Sequence, residues 1–388
     1  MMKELRFAVI GVGNMGSNHV KFIKNVSGAK IVAICDIDRQ KADKIADEHK
    51  VQVFYDAKDL YKSEICDAVI ISVPHYDHTL LTIQAFEAGL HVLCEKPIAV
   101  HKADALKMCE AHKKHSKLKF AIMFQQRTDP YYIKLKSLID KGELGKIYRI
   151  SWTITNWFRT QAYYNSGGWR ATWRGEGGGV LLNQCPHNID LFQWMFGMPS
   201  RVHSYCALGK YHDIEVEDDV TAFFEYSDGK TASFITSTGE FPGTNRLEIA
   251  CDRGKVVAEN GKITFSRTEE KVSEFNYTTS KQFEGPDYWN IDIPYKADNS
   301  SRHQCIIQNF TNSILKGDKL VARGEEGCNS IELANVMLLS SLEGKSIELP
   351  IDHVKFEKKL KELIKNSKYV KKVEKSEDSD FTSSFSKK

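Results

Sequence analysis

The sequence predicts an α/β protein in two parts: a parallel sheet alternating with helices, then a largely antiparallel sheet. Three observations carry that prediction. The chain opens on a strand–turn–helix containing Gly11-Val12-Gly13-Asn14-Met15-Gly16. Apolar strand patterns then alternate with helical patterns as far as Phe124. After about Pro130, β-type runs follow one another, broken by Asp228-Gly229, Asn260-Gly261 and the longer Asp252-Arg253-Gly254. At 388 residues the chain exceeds one typical core. The expected divisions are residues 1–125, 126–355 and a lysine-rich segment 356–388, read as a solvated helix running into a disordered tail.

The first strand is expected at Arg6 to Ile10, with a helix through His19 and Phe22 after the glycines. In G-x-G-x-x-G order, the first glycine makes the tight turn, the second admits a pyrophosphate and the third lets helix and strand pack closely. The helix N-terminus, with Asn14 and Met15, attracts the anion. A second strand, Ile31 to Cys35, ends at Asp36, 20 residues after Gly16. That is the place for an acid on the adenosine ribose hydroxyls; a turn aspartate is the plain alternative. A carboxylate there repels the 2′-phosphate of NADP, Ile37 adds no compensating charge, and Arg39 could offset part of the repulsion. NAD is therefore expected over NADP.

The alternation continues with a helix over Gln40 to His49, a strand over Ala68 to Val73 and a helix over Thr79 to Ala88 closed by Gly89. A strand over His91 to Cys94, a helix over Ala103 to His115 and an apolar Phe120 to Phe124 complete the set. Ser72-Val73-Pro74 leaves a strand end facing the nicotinamide-ribose region. Glu95-Lys96-Pro97 follows another strand end, where ligands bind in open α/β sheets. Lys96 can touch a substrate oxygen there; alone it would read as a surface lysine before a loop proline.

The later region begins with a helix from Tyr131 to Asp140. Strands are expected at Lys146 to Phe158, Val202 to Leu208, Val220 to Tyr226, Lys230 to Ser237, Leu247 to Cys251, Lys255 to Ala258 and Lys262 to Ser266. Helices return at Arg302 to Leu315 and Ser330 to Leu342. Within Gly177-Gly178-Gly179-Val180, the glycines suggest a backbone passing close to a ligand, and a helix is expected from about Val180. Asn183 and His187 would then share one face, with Pro186 kinking the turn between them. His187 reads either as a functional base or as a buried histidine satisfied by Asn183 or Asp190. An aromatic segment from Trp152 to Arg174 includes Trp157, Tyr163 and Trp169 with Arg159 and Arg170. Flat rings with interleaved donors suit a sugar; sheet packing is the alternative, and Trp152 fits it.

The bulk numbers exclude other classes. Hydrophobic residues make up 41% and charged residues 27%, and the net charge is +3. Such a balance gives no electrostatic case for nucleic acid. No run of about 18 apolar residues predicts a membrane span, and no signal-peptide pattern is read at the N-terminus. Nine cysteines without a Cys-x-x-Cys pair argue against a disulfide framework or a structural zinc, and no metal is expected. A reduced, cytoplasmic setting fits best.

Taken together, these motifs resemble the glucose-fructose oxidoreductase / inositol dehydrogenase (Gfo/Idh/MocA) family. The resemblance runs from about Arg6 to Asp352. It rests on Gly11-x-Gly13-x-x-Gly16-x-x-His19, Ser72-x-Pro74-x-x-x-His78 and Ala88-Gly89-x-His91-Val92-x-Cys94-Glu95-Lys96-Pro97. Arg127-x-Asp129-Pro130, Gly142-x-Leu144-Gly145, the triglycine with His187, and Leu349-Pro350-x-Asp352 extend it. It implies a Rossmann dinucleotide-binding domain, a C-terminal α/β domain with a large open sheet, and homodimers or homotetramers assembled through that sheet. Ser72, Val73, Pro74, His78, Glu95 and Lys96 join the cofactor contacts. Lys96 matches the family's active-site lysine and His187 its catalytic histidine. Gln125 and Gln126 stand where substrate contacts arise, and Asn183 replaces a frequent aspartate. The implied reaction oxidises a secondary hydroxyl of a sugar, glycoside or cyclitol with NAD, His187 as base and Lys96 stabilising the oxygen. Alternatives are glycoside cleavage through transient oxidation by tightly bound NAD, a non-catalytic NAD-responsive regulator, and a carbohydrate-binding module.

Overall fold

The computed structural model describes residues 4–374. The first sheet has strands β1 (Leu5–Ile10), β2 (Ala29–Cys35), β3 (Gln52–Phe54), β4 (Ala68–Ile71), β5 (His91–Cys94) and β6 (Phe120–Ile122). They lie in the order β3-β2-β1-β4-β5-β6, with every pair parallel. Central strands of such a sheet are covered on both faces and read as continuous apolar runs. Ala68-Val69-Ile70-Ile71 is buried at every position for that reason. Parallel strands end on the same edge, so the glycine turn after β1, Ser72 after β4 and Glu95-Lys96 after β5 all stand there.

The second sheet adds β7 (Ile147–Ile154), β8 (Arg201–Leu208), β9 (Glu217–Glu225), β10 (Thr231–Ser237) and β11 (Asn245–Cys251). It continues with β12 (Gly254–Glu259), β13 (Lys262–Thr268), β14 (Tyr288–Asp292) and β15 (Ile347–Glu348). The order is β14-β13-β12-β11-β7-β10-β9-β8-β15, and β7 with β10 is the parallel pair among antiparallel neighbours. One face packs on helices Pro186–Phe196 and Gly327–Glu343. Phe192 from the first of these meets Phe224 at 5.2 Å and Phe234 at 5.6 Å between ring centroids. Trp152 is buried in this core with its indole N–H on Asn245 Oδ1. The other face is open: Tyr205 is 71% exposed and Phe223 46%.

Late in the chain, the polypeptide returns to the first sheet. Helix Arg302–Leu315 sets Phe310 6.2 Å from Phe7, and Gln308 exchanges two hydrogen bonds with the Ser27 backbone. Ala121 at the edge forms a bridge to Arg323. The expected division at residue 125 thus follows chain order, while the packed unit around the first sheet also includes residues 302–323.

Several elements differ from the sequence reading. Strands β3, β14 and β15 are short or exposed at the sheet edges, so they carry no alternation to detect. The helix expected from Val180 begins at Pro186 instead. Pro186 occupies the first turn, where its missing N–H has no helical partner to lose, and no kink follows. The lysine-rich stretch forms helix His353–Asn366, capped by the Asp352 carboxylate. Residues 367–374 then run along Asp213 and Glu215 to Tyr164 and Asn165, and the expected disordered tail from 375 onward lies outside the described residues. No helix among the described residues is long and apolar enough to cross a membrane.

Candidate active site

The glycine turn has the room its sequence implies. Gly11 has φ +84°, and a Cβ on it would lie 2.3 Å from the Ser72 carbonyl oxygen. A Cβ on Gly16 would meet Gly11 O at 1.8 Å, whereas one on Gly13 would meet nothing within 4 Å. Protein packing therefore requires the outer two glycines, and the middle one faces open space. Helix Asn14–Ile23 has no side-chain cap, leaving N–H groups of its first turn, Asn14 and Met15 included, for an anion. Asp36 accepts the Val12 N–H at 2.7 Å and the Asp38 N–H at 2.9 Å, which fixes the carboxylate at the mouth of this turn. Each of its oxygens keeps a lone pair for a ribose hydroxyl. Ile37 is 90% exposed, and Arg39 stacks on Tyr55 at 4.2 Å. These residues fit a dinucleotide.

Two expected cofactor contacts have other employment. His78 is buried with Nδ1 2.8 Å from the Pro97 carbonyl and Nε2 3.0 Å from that of Val73. It ties the β4 exit to the β5 exit and has no ring nitrogen left for a ligand. The Glu95 carboxylate meets His19 Nε2 at 2.7 Å and accepts the Lys96 N–H at 3.1 Å. Burial opposes its charge, but the His19 contact outweighs burial and holds the carboxyl down to about 2. Both side chains shape the cradle from behind. Val73 and Pro74 stay at the strand exit, and Ser72 is pinned by its N–H to Ile10 O.

Lys96 reaches from this edge to the second domain, where Nζ donates to the Asn183 carbonyl at 2.8 Å. Burial pushes the ammonium below its ordinary value; Glu95 and Glu176 resist that, and Arg170 and Arg159 add to it. His187 is 3% exposed, with Nε2 3.1 Å from the Gln125 amide nitrogen. Its Nδ1 has no hydrogen-bond partner among the described residues. Burial first, then the charge of Lys96, holds the imidazole well below its ordinary value, so it is neutral. Neither Asn183 nor Asp190 satisfies it, contrary to the structural alternative read from the sequence.

Asn183 lies in the turn before the helix, so its link to His187 is not a shared helical face. Its amide donates to Glu176 and its Oδ1 accepts from Tyr163 OH. Arg170 donates to the Tyr163 hydroxyl at 2.9 Å and lies 4.7 Å from its ring centroid; Arg159 lies 5.2 Å from the same ring. Trp169 packs edge-on to His75, and Trp157 donates to Asn188 Oδ1. The expected substrate residues Gln125, Trp157, Arg159, Tyr163, Trp169 and Arg170 thus gather around Lys96 and the turn before His187. Arg174 is exposed.

Sequence reasoning missed three features. Glu176 is a buried carboxylate on Ala171 N–H and the Asn183 amide, and burial raises its pKa. Its sequence setting, Arg-Gly-Glu-Gly, reads as a loop. Arg127 forms a buried two-pronged pair with Asp190, both contacts 2.7 Å, and it also bonds Glu326. This pins the Gln125–Thr128 turn to the helix carrying His187. Third, Lys371 donates to Tyr164 O, and Glu374 pairs with Asn165 through both backbone and side chain. The triglycine also needs reinterpretation. A Cβ on Gly177 would strike Val100 at 2.1 Å and one on Gly179 would strike Glu217 O at 1.9 Å, so the close approach is to protein.

Residues 5–123 match a profile described as the oxidoreductase family, NAD-binding Rossmann fold, and residues 132–257 match the GFO/IDH/MocA C-terminal domain. The chain belongs to the Gfo/Idh/MocA oxidoreductase family. Inositol 2-dehydrogenase of Corynebacterium glutamicum is 32% identical over 53% of this family member and 57% of its own length. The chain spans about half the length of the curated relatives it matches first, 57% and 43%. Inositol 2-dehydrogenase of Rhizobium meliloti is 23% identical over 89% of this chain and 99% of its own. Among solved structures, the WlbA dehydrogenase of Chromobacterium violaceum, in complex with NADH and UDP-GlcNAcA, has TM-score 0.77 at 27% identity. That match covers 90% of this chain and 97% of the other.

Proposed function

We propose that this protein is an NAD-dependent dehydrogenase that oxidises a secondary hydroxyl of a sugar, glycoside or cyclitol. The observation that carries the reading is the reach of Lys96 from the glycine-turn edge to Asn183, four residues before a buried, neutral His187. Inositol 2-dehydrogenases among its relatives support the substrate class. The nicotinamide of NAD, when bound, supplies the acceptor for the carbinol hydride. Gly11, Gly13 and Gly16 leave space for the pyrophosphate, and Asp36 offers its carboxylate to the adenosine ribose.

The Gln125 amide lies 3.1 Å from His187 Nε2, and with its N–H donating there the imidazole lone pair is at that atom. A substrate hydroxyl that replaces the amide places its proton on the same lone pair, and His187 acts as general base. Lys96 spends one of its three N–H donors on Asn183 O, leaving two for the substrate oxygen as negative charge develops there. Arg127 and Asp190 keep Gln125 and His187 in register without touching substrate. We also infer a homodimer or homotetramer built on the open face of the second sheet. Nine free cysteines support a reduced, cytoplasmic setting.

The test is NADH absorbance on incubation with NAD and a panel of sugars, sugar acids, glycosides and inositols. NADH formation with at least one secondary alcohol, lost in His187→Ala, is expected. No NADH across the panel overturns the reading, and glycoside cleavage without net NADH would point to transient oxidation.

A further inference from the structure

Two arginines converge beside the place where a substrate hydroxyl would meet Lys96. The Arg170 and Arg159 guanidinium groups both lie against the ring of Tyr163, at 4.7 and 5.2 Å from its centroid. Tyr163 in turn bonds Asn183, whose carbonyl holds Lys96. Among the described residues, neither Lys96 nor Arg170 has an ion pair: Lys96 ends on a backbone carbonyl, and Arg170 on a phenol oxygen and the face of Trp169. Lys371 approaches the same loop at Tyr164 O. Two carboxylates stand near: Glu95 is bonded to His19, and Glu176 holds Ala171 N–H and the Asn183 amide, with burial favouring its neutral form and the charges of Arg170 and Lys96 opposing that. An arginine held on two rings without an ion pair keeps its planar donors available to an anion.

We propose that the site takes an anionic sugar, whose carboxylate or phosphate is bound by Arg170 beside Arg159 while its hydroxyl lies at Lys96 and His187. The inference rests on the dehydrogenase reading and deepens it. Arginine suits the task because its planar donors match a carboxylate or phosphate in pairs. The rings of Tyr163 and Trp169 hold the Arg170 guanidinium in place before the ligand arrives, limiting the ordering needed on binding. The anion undergoes no chemistry; it sets which face and which carbon of the sugar is presented.

The experiment compares kcat/KM for D-glucose and myo-inositol with D-glucuronate, glucose 6-phosphate and a nucleotide-linked uronate. At least one charged sugar should exceed the neutral ones by about 10- to 100-fold, the worth of a hydrogen bond to a charged group. The gain should appear mainly in KM and shrink with added salt. Uronate and phosphate arms distinguish the source of the anion. Arg170→Met should collapse the charged-to-neutral ratio and Arg170→Lys should retain part of it. If the neutral sugars give NADH as well as or better than every charged one, the anion proposal is overturned while the dehydrogenase reading stands. If no sugar gives NADH, the dehydrogenase reading fails. The anion proposal is then decided by thermal shift of the NAD-loaded protein with glucuronate and with inorganic phosphate. A stabilisation lost in Arg170→Met supports it; no stabilisation by either anion overturns it.

Discussion

His187, the proposed base, is held uncharged because it is buried beside a cation. A protonated imidazole would be dehydrated and would face the Lys96 ammonium, and both effects favour the neutral form. The acid limb of kcat/KM should therefore fall below pH 6.5, the ordinary histidine value. Stability follows the same sign. Below about pH 6.5 the unfolded chain protonates this residue while the native protein does not, so its contribution to stability declines as pH falls. His187→Gln should flatten the dependence of the urea midpoint on pH below about 6.5. His187→Ala should lower turnover roughly 10²- to 10⁴-fold, and Lys96→Ala should lower it too, with NAD affinity little changed in a calorimetric titration. We propose that Asp36 governs a separate choice. Its carboxylate is fixed by two backbone N–H groups, and Arg39 is engaged on Tyr55. NAD should bind more tightly than NADP, and Asp36→Ser with Ile37→Arg should shift the preference; equal affinities in the parent protein would refute this.

At the scale of elements, the position of His187 depends on a helix anchored elsewhere. The Arg127–Asp190 pair is buried on both sides and couples helix Pro186–Phe196 to the turn bearing Gln125. Asp190→Ala should destabilise the protein by about 3 kcal/mol, the low end for a broken buried pair, since Glu326 still contacts Arg127. Urea unfolding measures this, and kcat should drop more than NAD affinity. Residues 367–374 offer a second test. They brace Tyr164 and Asn165 next to Tyr163, so truncation after Asn366 should raise KM for the sugar and leave NAD binding intact. A truncated protein with unchanged KM would make that segment incidental. These elements also show where sequence reasoning stops. The placement of Lys96 and Asp36 at strand exits is legible because each follows a strand whose pattern is local. Glu176 is not, because its role comes from folding a glycine-rich loop back onto itself. Pro186 was misassigned because a proline without an N–H suits a helix start as well as a kink, and only the turn preceding it decides.

For the molecule as a whole, the second sheet buries one face against helices and leaves Tyr205 and Phe223 on the other. A second copy covering that face should appear as a dimer or tetramer in light scattering at micromolar concentration; a monomer there would contradict it. Tyr205→Glu with Phe223→Glu should dissociate the assembly. The first sheet presents a different dependence. Phe7, Val20 and Ile23 on its flank, all buried, share their surroundings with helix Arg302–Leu315, including Phe310. During synthesis on a ribosome, that helix follows β1 by nearly three hundred residues, about 15 to 60 seconds at ordinary elongation rates. For that interval the nascent nucleotide-binding half carries an uncovered apolar flank. It is then a natural client for a chaperone, and residues 1–125 expressed alone should aggregate unless residues 302–328 are supplied in trans.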